Sequence, residues 1–245
     1  MEIRTFATAD DVARAVAVRV AAALRQRPGL VLGLASGRTP LPTYAELARL
    51  HAAEQLDFSA ATTFNLDEFV GLAPDHPGSF RRFMQEHFFG AVDLDPSRIE
   101  FLNGIAADPI AECDRYERAI AARGGLDLQV LGIGGNGHIG FNEPGDSLHA
   151  RTHVVRLHDT TRRDNAVLFG GEPGAVPRDA LSMGMGTILK AAAIILIATG
   201  ERKAACVERM VNGPVTTLLP ASFLQLHARA ALYLDAAAAQ LIDHA

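Results

Sequence analysis

The stretch Leu30-Val31-Leu32-Gly33-Leu34-Ala35-Ser36-Gly37-Arg38-Thr39-Pro40 decides the fold. Its first half is apolar without polar alternation, the mark of a strand buried on both faces. Its second half is small and hydroxylated, and it leads into residues 42–53, whose pattern predicts a helix. Working outward, the same alternation repeats. Helices are predicted over 10–25, with Thr8 or Asp10 as N-cap, and over 108–122, 179–189 and 202–211. Strands are predicted over 62–65, 99–101, 126–133, 153–157, 194–199 and 230–234. Apolar strands alternating with helices imply an α/β fold, a mainly parallel sheet covered on both faces. Ligands in such folds bind beyond the carboxyl ends of the strands, so functional side chains are expected just after strands.

Length and composition bound the rest. The chain has 245 residues, 49% of them hydrophobic and 21% charged, and a net charge of −5. This suits one globular domain over 1–245 rather than a disordered chain. No basic stripe points to nucleic acid. The most apolar run, residues 191–198, is too short to cross a bilayer, and the start of the chain does not read as a secretory signal. Cys113 and Cys206 form no CxxC pair, so neither a disulfide framework nor a structural zinc site is expected, and a cytoplasmic location follows. Of 23 basic residues only Lys190 and Lys203 are lysines.

Three polar clusters follow predicted strands. In the first, Ser36, Gly37, Arg38 and Thr39 precede a helix N-terminus, where free N–H groups suit a phosphate or make an ordinary capping turn. It is not a Walker loop, because GxxxxGK[ST] is absent. In the second, Asp67 and Glu68 are adjacent, so in an extended segment at most one faces a cleft while a solvated turn presents both to water. In the third, Gly132, Gly134 and Gly137 form a GxGxxG, but His138, Gly140, Pro144 and Gly145 interrupt the helix that a dinucleotide site requires. What remains is a glycine-rich loop presenting His138 and Glu143, an acid/base pair. His149, His153 and His158 have no standard metal-ligand spacing and read as surface histidines, and Cys113 reads as a packed thiol.

Together these segments resemble the glucosamine-6-phosphate deaminase (isomerase) family. The resemblance runs through GLASGRTPLPTY (33–44), TTFNLDEFVGL (62–72), HPGSFRRFM (76–84), LGIGGNGHIGFNEPG (131–145), SMGMGTIL (182–189), ATGERKA (198–204) and LLPASFLQLH (218–227). It implies a three-layer α/β/α, Rossmann-like fold of the glucosamine-6-phosphate deaminase/ribose-5-phosphate isomerase kind. It also implies conversion of glucosamine 6-phosphate and water to fructose 6-phosphate and ammonia, with no metal or organic cofactor. The implied catalytic groups are Asp67 as the base at C2 and His138, Glu143 and Asn136 for ring opening. The implied substrate and phosphate contacts are Ser36, Gly37, Arg38, Thr39, Gly137 and Lys203. Asn136 stands where some members carry aspartate and is expected to orient His138. Val167 stands where a phosphate-binding arginine is usual, and Arg38, Arg162 or Arg163 is expected to replace it. Val155 and His153 replace the basic effector contacts of the hexameric members, so a monomer or small homo-oligomer is expected. Galactosamine-6-phosphate deaminase, a 6-phosphogluconolactonase-like hydrolase and a non-catalytic sugar-phosphate sensor are the alternatives.

Overall fold

The computed structural model describes residues 1–242. Its main sheet has seven parallel strands: β1 (Glu2–Phe6), β2 (Val31–Leu34), β3 (Thr62–Asn65), β5 (Ile99–Glu100), β6 (Leu128–Gly132), β9 (Ile194–Ala198) and β10 (Ala230–Asp235). Three further strands, β4 (Asp67–Phe69), β7 (His153–Arg156) and β8 (Asp179–Ser182), form a separate antiparallel sheet in the order β4-β8-β7. The helices are α1 (Ala9–Gln26), α2 (Leu41–Ala52), α3 (Phe80–His87), α4 (Pro109–Ala122), α5 (Asp159–Asn165), α6 (Met185–Leu189), α7 (Ala204–Asn212) and α8 (Ala236–Ala239).

Alternate residues of the buried strands feed two cores. Leu32 and Leu34 of β2 pack with Val16 and Val20 of α1 and Tyr44 and Leu47 of α2. Val31, Leu131 and Leu196 face the other way, toward Tyr116 and Ile120 of α4 and Val207 and Met210 of α7. This is the expected three-layer α/β/α arrangement. Burying a large aliphatic side chain contributes roughly 1.5–3 kcal/mol, and the continuous apolar strands supply such side chains to both faces. Capping follows the sequence as well. The Thr8 side chain accepts from Asp11 N–H, and Asp108 accepts from the N–H groups of Ile110 and Ala111.

Strand order places the site. The main sheet runs β1-β10-β9-β6-β2-β3-β5. The chain starts the sheet's interior at β2, moves outward through β3 and β5, then returns to the other side of β2 as β6 and continues through β9 and β10. The order therefore reverses between β2 and β6, and the loops leaving those two strands diverge and open a crevice.

Two expectations are corrected. Residues 179–189 are not one helix: Asp179–Ser182 is β8, and only Met185–Leu189 is helical. Ladder pairing of β8 with both β4 and β7 overrides local propensity here. Gly184 sits at a close crossing, where a methyl group would lie 2.2 Å from the Arg151 carbonyl oxygen. The strand at 153–157 belongs to this antiparallel sheet and not to the parallel one. The edge strand β1, four of whose five residues are exposed, carried no apolar pattern to announce it.

Candidate active site

The crevice is a cleft of about 550 Å³ at the carboxyl ends of β2, β3 and β6. Its first wall is the loop after β2. Gly37 has φ +100°, which lets the chain turn before α2. The Tyr44 hydroxyl donates to the Ala35 carbonyl at 2.6 Å and ties the loop to α2. Ser36, Gly37, Arg38 and Thr39 all line the cleft.

The second wall comes from the link between β3 and β4. The Tyr116 hydroxyl donates to the Asn65 carbonyl at 2.7 Å, holding the end of β3. The adjacent acids then diverge, as side chains of an extended segment must. Asp67 lines the cleft, and Ser36 Oγ donates to its Oδ1 at 3.1 Å. Glu68 turns away and accepts from Ser79 Oγ at 2.7 Å and from the N–H groups of Phe69, Phe80 and Arg81 at 2.8, 3.1 and 3.0 Å. Glu68 thus anchors the start of α3. Burial pushes the Asp67 carboxyl up to about 7, with the Ser36 hydrogen bond opposing and the neighbouring Glu68 charge adding to the rise.

The third wall is the glycine-rich loop after β6. It curls around one imidazole: Gly134 N–H donates to the His138 carbonyl at 2.9 Å, and Gly137 N–H donates to the Gly134 carbonyl at 3.0 Å. A methyl group on Gly134 would lie 2.3 Å from His138 Cε1, so the glycine is the seat of the ring. His138 lines the cleft opposite Asp67, and Glu143 stands behind it with Oε2 at 3.6 Å from His138 Nδ1. Asn136 Nδ2 donates to Glu143 Oε2 at 3.0 Å, and Thr161 Oγ1 donates to Glu143 Oε1. Burial opposes ionisation of Glu143, but the His138 contact and the hydrogen bonds from Thr161 and Asn136 prevail and hold it down at about 2.

The Asn136 side chain bonds to Glu143 through Nδ2 and to His138 through Oδ1, which accepts from the His138 backbone N–H at 3.1 Å and not from the ring. Gly137 lies behind the wall, at φ +92°, where a methyl group would strike Leu219 Cδ1 at 2.2 Å. Lys203 lines the cleft and donates from Nζ to the Ile133 carbonyl at 2.7 Å, with burial lowering its pKa.

The sequence reading missed Arg202, Thr161 and His158. Arg202 lines the cleft beside Lys203, and its position after a strand was the available signal. His158 is a surface histidine as expected, its side chain 51% exposed, but its Nδ1 also lies 3.7 Å from Glu143 Oε2. No spacing rule pairs it or Thr161 with Glu143. His149 and His153 stack on each other with centroids 4.2 Å apart, and burial lowers the His153 pKa to about 4. Among the described residues no three His, Cys, Asp or Glu side chains converge as metal ligands. The Cys113 thiol is buried and pushed up to about 11, as a packed thiol should be.

A family model described as glucosamine-6-phosphate isomerases/6-phosphogluconolactonase matches residues 4–233. The chain belongs to this family. Glucosamine-6-phosphate deaminase 1 of Giardia intestinalis is 48% identical over 234 residues, 96% of this chain and 88% of that protein. Glucosamine-6-phosphate deaminase of Rhodopirellula baltica is 49% identical over 243 residues, 99% of this chain and 96% of that protein. A solved structure of a monomeric glucosamine-6-phosphate deaminase superposes with a TM-score of 0.95 at 43% identity, covering 98% of this chain and all of that one.

Membership in this deaminase/lactonase family sharpens one departure. Val167 lines the cleft, and so does Arg38. Arg162 is spent elsewhere, donating to the carbonyls of Pro173 and Val176, each at 3.0 Å. Arg163 donates to the Asp159 carbonyl at 3.2 Å and is exposed. Arg162 and Arg163 therefore do not take the place of the missing arginine, and Arg38 remains with Arg202 and Lys203 as the cations of the cleft.

Proposed function

We propose that the chain acts as a single-domain glucosamine-6-phosphate deaminase, converting glucosamine 6-phosphate and water to fructose 6-phosphate and ammonia. The observation that carries this reading is one cleft with Asp67 and His138 on its walls and Arg38, Arg202 and Lys203 among its lining. His138, backed by Glu143, moves the proton between the anomeric hydroxyl and the ring oxygen and opens the pyranose. Asp67 then takes the C2 proton of the open aldehyde while the substrate ammonium gives a proton to O1, leaving an enolamine. The same carboxyl returns the C2 proton to C1, which gives an iminium at C2. Water adds to C2 and the nitrogen leaves as ammonium, balancing the reaction. A carboxyl whose pKa lies near 7 suits a step in which it must both accept and release a proton.

Ser36, Gly37, Arg38 and Thr39 hold the substrate phosphate together with Lys203 and Arg202, and Asn136 fixes Glu143 behind His138. Gly137 serves by letting the loop close. The two buried free thiols support a cytoplasmic location, and the monomeric relative supports a monomer or small homo-oligomer. No helix among the described residues is long and apolar enough to cross a membrane.

The direct test mixes protein with glucosamine 6-phosphate and measures ammonia and fructose 6-phosphate together. Equimolar appearance is expected, and the absence of both at high enzyme concentration would defeat the reading. Asp67 must be ionised to take the C2 proton. Activity is therefore expected to rise with pH through about 7, where Asp67 loses its proton, and a rate flat from pH 5 to 8 contradicts its role as base.

Arg38→Ala should raise KM roughly tenfold or more with little change in kcat, because a charged hydrogen bond to phosphate is worth about 1.5–3 kcal/mol. Adding Val167→Arg to that variant should recover KM, since both positions line the same cleft. An unchanged KM in Arg38→Ala, or no recovery in the double variant, rejects the exchange.

A further inference from the structure

Oε2 of the Glu143 carboxylate has more claimants than acceptor sites. A carboxylate oxygen offers two lone-pair directions. Oε1 accepts from Thr161 Oγ1. Oε2 accepts from Asn136 Nδ2 at 3.0 Å, which leaves one direction free. Two imidazoles approach that oxygen at almost the same distance, His138 Nδ1 at 3.6 Å and His158 Nδ1 at 3.7 Å. His138 Nδ1 is buried and has no hydrogen-bond partner among the described residues. The rings differ in access to water: the His158 side chain is 51% exposed and that of His138 18%. His158 immediately precedes α5, yet its side chain makes no capping hydrogen bond there.

We propose that His158 is a positioning residue for this site: it competes with His138 for the last free lone pair of Glu143 Oε2, and its protonation decides how firmly the carboxylate holds the His138 ring. A protonated His158 draws Glu143 toward the surface, and a neutral one yields the oxygen to His138. The inference rests on the deaminase reading only where activity is used as a readout. The other charged groups nearby are engaged or line the cleft. Asp159 faces Arg162 Nη1 at 3.7 Å, and Arg162 is bound to the Pro173 and Val176 carbonyls. Arg163 binds the Asp159 carbonyl. Asp67, Asp164, Arg38, Arg202 and Lys203 line the cleft with His138.

The test uses the full chain with His158→Ala and His158→Gln, the latter keeping a neutral donor should alanine disturb α5. Imidazole ¹⁵N resonances are followed against pH without ligand. In the parent protein the His138 signals should show a transition that coincides with the titration of His158, and both variants should lose it. The profile of log kcat/KM against pH should change shape in both variants, because the His138–Glu143 contact no longer has a competing imidazole. His138 signals that titrate identically with and without His158 overturn the proposal, as does an unchanged profile. Loss of the shared transition in a protein that releases no ammonia would overturn the deaminase reading and leave the competition at Glu143 standing.

Discussion

Asp67→Asn is expected to lower kcat by roughly 10³-fold, the scale of a positioned general base, while binding survives. The substitution keeps the shape of the side chain and an oxygen to accept from Ser36 Oγ, but it removes the group that carries a proton between neighbouring carbons. Ligand binding should persist because the residues proposed to hold the phosphate stand on other segments, Ser36 to Thr39 and Lys203. Fructose 6-phosphate at about 100 times its Kd should still stabilise the variant by about 2.7 kcal/mol. Turnover of substrate deuterated at C2 separates the step itself: the parent should carry that deuterium to C1 of its product, and the variant should not. Stability also has a predicted sign. The folded protein holds the Asp67 proton up to about 7, well above an ordinary aspartate. Between those values the unfolded chain binds fewer protons, so ionisation of Asp67 costs stability as pH rises. The asparagine variant carries no such cost, and its Tm at pH 8 should equal or exceed that of the parent. Activity within tenfold of the parent would remove Asp67 from the reaction.

Glu143→Gln should lower kcat by about 10²–10⁴-fold with a smaller effect on KM. Glu143 holds its charge down to about 2, so it is an anion at every working pH. That anion would stabilise the positive charge that His138 carries after taking the anomeric hydroxyl proton and before giving it to the ring oxygen. Glutamine is nearly the same size and can still meet Thr161 and Asn136, one through its nitrogen and one through its oxygen. The fold should persist and the loss should fall on chemistry. Near-normal kcat would show that His138 works without a counter-charge.

Much of this was legible in the sequence because burial leaves a pattern. Leu30 to Leu34 read as an interior strand because Pro28-Gly29 before it and the small polar loop after it leave no room for a helix, and the polar residues directly after it then lie at its carboxyl end. Asp67 and Glu68 were legible as a pair of which one faces a cleft, since extended backbone sends neighbours to opposite sides. Their assignment was not legible. It came from α3, whose first N–H groups and Ser79 hydroxyl need an acceptor and take Glu68. Residues 179–182 misled because Asp179-Ala180-Leu181-Ser182 is too short and mixed to show a period, and pairing with β4 and β7 made it a strand.

By itself, then, the sequence determined the α/β class, the strands that make the cleft and the chemistry-bearing residues at their ends, since periodicity and residue type are local properties. Only the tertiary structure decided which of these meet. It set Asp67 against Ser36, put Thr161 and His158 of a distant segment on Glu143, and turned Arg162 and Arg163 away while Arg38 kept its place. The physical reason is that a hydrogen bond or a charge pair depends on separation in space, and the reversal of strand order between β2 and β6 brings together residues far apart along the chain.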